Sequence, residues 1–133
     1  MLKVAVEPDC WRRQSLVTAV EGGGGEVASP DEAQVLVWAE PARADLLPPM
    51  LDENPNIDWV QLPYAGIEPF LEMLRSRPHL IWTCGKGVYA APVAEHVLTL
   101  ALAGFRSINT YARADKWSDP QGQNLIGAKV TIL

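Results

Sequence analysis

The sequence predicts an open α/β domain, in which a parallel sheet is covered by helices on both faces. Short apolar runs alternate along the chain with segments of helical spacing, and such alternation produces right-handed crossovers and a parallel sheet. The runs are apolar at nearly every position, as expected of strands that are buried on both faces. The length of 133 residues allows about one domain of this kind.

The first three strands are predicted at residues 2–6, 26–28 and 35–38. A helix is predicted over residues 11–20, where apolar residues recur at helical spacing and Asp9 precedes them as an N-cap. The glycines at 22–25 follow this helix and precede a strand, which is typical of a helix end and a connector rather than of a phosphate-binding loop. Ser29 and Glu32 have the spacing of a capping box and predict at most one helical turn.

The second half of the sheet is predicted from residues 42–83. A helix over 42–53 is interrupted by Pro48-Pro49, which should kink it or divide it in two. A strand at 57–61, a short helix at 68–76 and a fifth strand at 80–83 follow. Together these elements indicate a flavodoxin-like open sheet, in which ligands bind beyond the carboxyl ends of the strands.

The chain changes character after the fifth strand. A long helix is predicted over residues 92–112, with Pro92 at its first helical position. Apolar side chains cover most of its circumference, so the helix has to be buried on several sides. We therefore expect it to be an interdomain or intersubunit element. A polar stretch at 115–123, which contains Trp117, leads to a last predicted strand at 128–133.

Charge and composition exclude several classes of protein. The 11 basic and 16 acidic residues give a net charge of −5, whereas a general nucleic-acid binder needs a basic face. The apolar stretch at 90–105 contains Glu95 and His96 and falls short of the roughly 18 uninterrupted apolar residues of a membrane span. The first residues lack the features of a secretory signal, and Cys10 and Cys84 lack the spacing of a metal or redox site. We expect a cytoplasmic protein with no metal site and no nucleic-acid or membrane partner.

Two loops lie where a flavodoxin-like sheet binds ligands. Residues 63–68 follow the fourth strand, and the successive amides of Tyr64, Ala65 and Gly66 can converge on an anion such as a carboxylate. The residues alone leave two interpretations open, this anion nest and an ordinary turn between a strand and a helix. The other loop follows the fifth strand and carries Lys86, which we expect to be solvated.

Residues 87–98, with the sequence GVYAAPVAEHVL, resemble the hinge and long helix of the D-isomer-specific 2-hydroxyacid dehydrogenases. The similarity continues through Trp117 to residues 125–133. Upstream, residues 61–68 resemble the substrate loop of this family, although the last two are isoleucine and glutamate where valine and aspartate are most often found. The resemblance covers the whole chain loosely and residues 57–133 well.

The resemblance implies a division of the chain. Members of the family have a substrate domain and an NAD(P)-binding Rossmann domain. By this resemblance, residues 1–90 would be the substrate-binding domain and residues 91–113 a linking and dimerisation helix. Residues 114–133 would be a loop and the first strand of an incomplete Rossmann domain.

The resemblance also implies the ligands and partners. The amides of Tyr64, Ala65 and Gly66 would hold the carboxylate of a small 2-oxo or 2-hydroxy acid. Trp117 falls in a segment that, in glyoxylate/hydroxypyruvate reductase-like members, reaches toward the active site of the other subunit. A homodimer would form through the helix at 92–112, and the C-terminal strand would be free to exchange between chains.

This sequence departs from the family at its end. In the family, the strand that resembles residues 129–133 runs into a glycine-rich cofactor loop, and the catalytic arginine, glutamate and histidine lie further downstream. None of these positions exists in this sequence. We therefore expect a fragment of an NAD- or NADP-dependent oxidoreductase, itself inactive, with no catalytic or cofactor-binding residue and no bound cofactor.

Two other interpretations stay open. Glu7, Asp9 and Lys86 resemble the acid pair and lysine of a receiver-like signalling module, but Glu40 followed by Pro41 stands where such a module needs an aspartate. Alternatively, the chain is a dimerising remnant that binds no ligand.

Overall fold

A computed structural model describes residues 1–131. The chain forms two compact units, Met1–Val88 and Tyr89–Leu133. None of the helices in residues 1–131 is long and apolar enough to cross a bilayer.

The first unit is built on a sheet of five parallel strands. Its strands are β1 (Lys3–Glu7), β2 (Glu26–Val27), β3 (Val35–Trp38), β4 (Trp59–Gln61) and β5 (Ile81–Thr83), in the order β2-β1-β3-β4-β5. Val4 pairs with Val35, and Val35 pairs with Trp59. This strand order is that of flavodoxin-like folds, so the predicted fold class is confirmed.

Helices cover both faces of this sheet. The helices of the first unit are α1 (Arg13–Gly22), a 3-10 helix (Pro41–Leu46), α2 (Leu47–Glu53), a second 3-10 helix (Glu68–Phe70) and α3 (Leu71–Ser76). The main core lies on the side of α2 and α3, where Leu36 and Val60 pack with Leu47 and Phe70. Side chains of successive strand residues point to opposite faces, and α1 packs against the other face, on β1 and β2.

Two local predictions for the first unit are corrected and one is confirmed. The first helix begins at Arg13, with Arg12 rather than Asp9 at its N-cap, because the Arg13 amide bonds to the Cys10 carbonyl in a preceding turn. Glu32 does not close a capping box, since its carboxylate pairs with Lys3 Nζ at 3.0 Å. The predicted helix at 42–53 is divided in two, as its prolines require.

The second unit contains α4 (Ala90–Phe105) and α5 (Ile108–Tyr111). The single helix predicted over 92–112 is thus broken, because Ser107 adopts a left-handed conformation with φ of 51°. Side chains of α4 that we expected to be buried, among them Val97 and Leu100, are more than half exposed in this chain. Its role between subunits stays a prediction.

The last strand is predicted at residues 128–133, and the structure describes residues 128–131 of it. Residues 128–131 are not in a strand, and the Ala128 amide instead bonds to the Leu125 carbonyl across a turn at Gly127, whose φ is 79°. Ile132 and Leu133 lie outside the described residues.

Candidate functional site

The candidate site lies at the carboxyl edge of the sheet in the first unit. The chain leaves β1 toward β2 on one side and returns to β3 on the other, so the strand order reverses between β1 and β3. Ligands of open α/β sheets bind at such a reversal, beyond the carboxyl ends of the strands. The segments that follow β1, β3, β4 and β5 all begin at this edge.

The ligand loop, residues 63–67, follows β4 and is held at its start by two hydrogen bonds. The Leu62 amide donates to the Thr83 carbonyl at 2.7 Å, and the Gly85 amide donates to the Tyr64 carbonyl at 3.1 Å. These bonds hold the loop against the residues that follow β5.

Three consecutive amides of this loop are available to a ligand. Tyr64, Ala65 and Gly66 are exposed, and within residues 1–131 their backbone amides donate no hydrogen bond. The three residues predicted to bind a carboxylate are therefore consecutive free donors at the ligand edge of the sheet. A free backbone N–H is a strong donor, and successive amides suit an anion.

The Glu68 carboxylate lies beside Gly66, which the sequence analysis did not anticipate. A side-chain carbon at Gly66 would lie 2.8 Å from Glu68 Oε2. Gly66 does not have a positive φ, so the tight turn that we inferred from the sequence does not by itself require glycine. The atom that a side chain at Gly66 would meet is the end of the flexible, exposed Glu68 side chain.

Arg12 connects the ligand loop to the ends of β1 and β3, and the sequence analysis missed it as well. Its guanidinium carbon lies 4.8 Å from the centroid of the Tyr64 ring, and its Nη1 donates to the Ala39 carbonyl at 3.2 Å. The sequence signal that could have pointed to Arg12 is its positive charge in the segment after β1, where the strand order reverses.

A chain of side-chain hydrogen bonds supports the start of the ligand loop. Trp59 Nε1 donates to Thr83 Oγ1, and Thr83 Oγ1 donates to Gln61 Oε1, each at 2.7 Å. Gln61 Nε2 in turn donates to the Leu62 carbonyl at 2.7 Å. The chain ties the end of β4 to β5 just before the loop. Trp59 is half-buried and donates a hydrogen bond, whereas Trp38 is fully buried in the core.

The charges near β1 are partly desolvated. Burial raises the pKa of Glu7, and the nearby Arg13 opposes that shift. Arg13 Nη2 lies 3.9 Å from Glu7 Oε1, while Arg13 Nε donates to the Val6 carbonyl at 3.0 Å. Glu40, which follows β3, accepts the Ala42 amide at 3.1 Å and so caps the next helix. Within residues 1–131 no group of three or more His, Cys, Asp or Glu side chains is placed to hold a metal ion.

Trp117, the fourth predicted site residue, belongs to the second unit. Its side chain is 98% exposed. It lines an open groove of about 540 Å³ together with Arg106, Tyr111 and Lys116. Its predicted role toward another subunit stays a prediction.

Comparison with known proteins adds one structural likeness. No protein-family model and no curated protein matches the chain. Among solved structures, the chain is similar to phosphoglycerate dehydrogenase from Lactobacillus plantarum, with 17% identity and a TM-score of 0.42. The similarity covers 92% of this chain and 42% of that one, so the chain spans less than half the length of that structure.

Proposed function

We propose that this chain binds small 2-hydroxy or 2-oxo acids, as the substrate-binding part of an NAD- or NADP-dependent oxidoreductase. One observation carries the proposal: the exposed residues Tyr64, Ala65 and Gly66 lie at the ligand edge of a flavodoxin-like sheet, and their amides donate no hydrogen bond to any residue between 1 and 131. The likeness of residues 61–68 and 87–98 to D-2-hydroxyacid dehydrogenases supports it.

Backbone amides suit this substrate class because they bind a carboxylate without a charged side chain. Hydrogen bonds to an ionised acceptor are about twice as strong as neutral ones. However, the loop is open to water, which competes for the same donors. We expect affinities in the millimolar range for the chain by itself, about −4 kcal/mol.

The glycines at 22–25 do not form a dinucleotide-binding turn. A pyrophosphate-binding turn follows a strand and opens a helix, whereas the glycines at 22–25 follow α1 and precede β2. In this proposal the loop amides bind the carboxylate of the substrate. Hydride transfer would be the reaction of the complete enzyme.

An NMR titration with oxalate tests the proposal. The backbone amide signals of Ala65 and Gly66 should shift progressively as oxalate is added to ¹⁵N-labelled chain. The amide of Ile81 serves as an internal control, because it already donates to the Asp58 carbonyl, away from the loop. Neutral oxamide, which has a similar shape, should shift the loop amides much less. Equal shifts with oxalate and oxamide, or none at the loop, would contradict the proposal.

A homodimer through α4 is also part of the proposal. Four apolar residues of α4 are each more than half exposed, namely Val93, Val97, Leu98 and Leu100. Contiguous apolar surface on a helix is typical of an interface between proteins. Trp117 would then face the site of the other subunit, as the family resemblance implies. Sedimentation over a range of concentrations should show self-association, and a monomer at high concentration would contradict it.

A further inference from the structure

Arg12 makes two contacts that join segments distant in sequence. Its Nη1 donates to the Ala39 carbonyl, just after β3, at 3.2 Å. Its guanidinium carbon lies 4.8 Å from the centroid of the Tyr64 ring, in the ligand loop after β4. The Arg12 side chain itself starts in the segment after β1. One side chain therefore bridges three of the segments at the candidate site.

The chemistry of these contacts suits a rigid support. A guanidinium is planar, so it can lie over an aromatic ring while it donates a hydrogen bond in its own plane. Within residues 1–131 no carboxylate lies within ion-pair distance of Arg12, whereas Arg13 lies 3.9 Å from Glu7. In the described part of the chain, the Tyr64 ring and the Ala39 carbonyl are thus the contacts of this cation.

We propose that Arg12 is a positioning residue for the ligand loop. It acts through the Tyr64 ring, which it holds against the end of β3, and so restrains the loop whose amides at residues 64–66 would meet a ligand. The consequence for anion binding rests on the proposed function. The restraint on the loop does not, because it is a property of the chain without ligand.

Hydrogen exchange of the ligand-free chain tests the restraint. The Gly85 amide donates to the Tyr64 carbonyl, so its exchange reports on release of the loop. Arg12→Met should raise the exchange rate of Gly85 several-fold and leave that of Ile81 unchanged. Arg75→Met, which removes the same charge from an exposed position on α3, should change neither. An unchanged rate at Gly85, or an equal rise at Ile81 that marks general destabilisation, would overturn the proposal.

A double-mutant cycle with oxalate separates positioning from direct contact. Arg12→Met should weaken oxalate binding about fivefold, which corresponds to about 1 kcal/mol. In a Tyr64→Leu background the same change should have no further effect, because Arg12 acts through the ring. A fivefold loss that persists in that background would show direct contact with the anion and overturn the positioning role. If the unaltered chain does not bind oxalate, the proposed function fails, and the exchange of Gly85 still decides the role of Arg12.

Discussion

Replacing Glu68 with glutamine should strengthen the binding of anions to the ligand loop. The Glu68 carboxylate lies next to Gly66, because a side-chain carbon at residue 66 would lie 2.8 Å from Glu68 Oε2. An anion on the amides of residues 64–66 would therefore approach a negative charge. Glu68→Gln keeps the shape of the side chain and removes that charge, so the repulsion should disappear.

The size of the effect depends on the separation of the two charges. We take about 5 Å between the Glu68 carboxylate and an anion bound to the loop amides. Two unit charges at about 5 Å in water repel each other by about 0.8 kcal/mol. Glu68 is exposed, so the dielectric constant of water is the appropriate one. We therefore expect Glu68→Gln to tighten oxalate binding about fourfold.

Paired NMR titrations of the two proteins measure this ratio. Glu72→Gln is the matched control, because it removes the same charge from an exposed position on α3, and it should change the affinity much less. High salt should reduce the advantage of Glu68→Gln, since exposed charges are screened. The binding of neutral oxamide should not depend on residue 68.

Two results would refute this reasoning. If Glu68→Gln left the oxalate affinity unchanged, the carboxylate would not lie near the bound anion. If Glu72→Gln tightened binding as much as Glu68→Gln, the effect would reflect net charge alone and not the placement of Glu68 beside Gly66.

Three further predictions follow from named contacts. Thr83→Val removes the hydroxyl between Trp59 and Gln61 and should lower the free energy of unfolding in urea by about 1–2 kcal/mol, whereas Thr83→Ser should lose less; equal losses would count against the hydrogen bonds. Burial raises the pKa of Glu7 above its ordinary value of 4.5, so the folded chain binds the Glu7 proton more tightly than the unfolded chain. The contribution of Glu7 to the free energy of unfolding therefore falls as the pH rises through the raised pKa. Glu7→Gln should flatten this part of the pH dependence in urea unfolding, and an unchanged slope would contradict it. Val97→Glu should reduce self-association through α4 in sedimentation experiments, and an undiminished dimer would exclude this face.

The five-stranded sheet was predictable because its signal is local. The apolar runs that became β1 and β3 are read directly from neighbouring residues, since burial on both faces requires apolar side chains at successive positions. The division of the helix just before Pro48-Pro49, which lie in the first turn of α2, is equally local, because proline lacks a backbone donor. The break at Ser107 carried no such signal, since serine rarely adopts a left-handed conformation.

Sequence by itself determined that this chain contains an α/β domain with a parallel sheet, and it predicted a ligand loop within residues 63–68, after β4. Only the tertiary structure decided what surrounds that loop. Arg12 meets Tyr64, and Thr83 stands between Trp59 and Gln61, because the strand order and register bring residues far apart in sequence to one edge. Periodicity reports on which face of an element is buried, whereas contacts between loops depend on how the elements are arranged around the sheet.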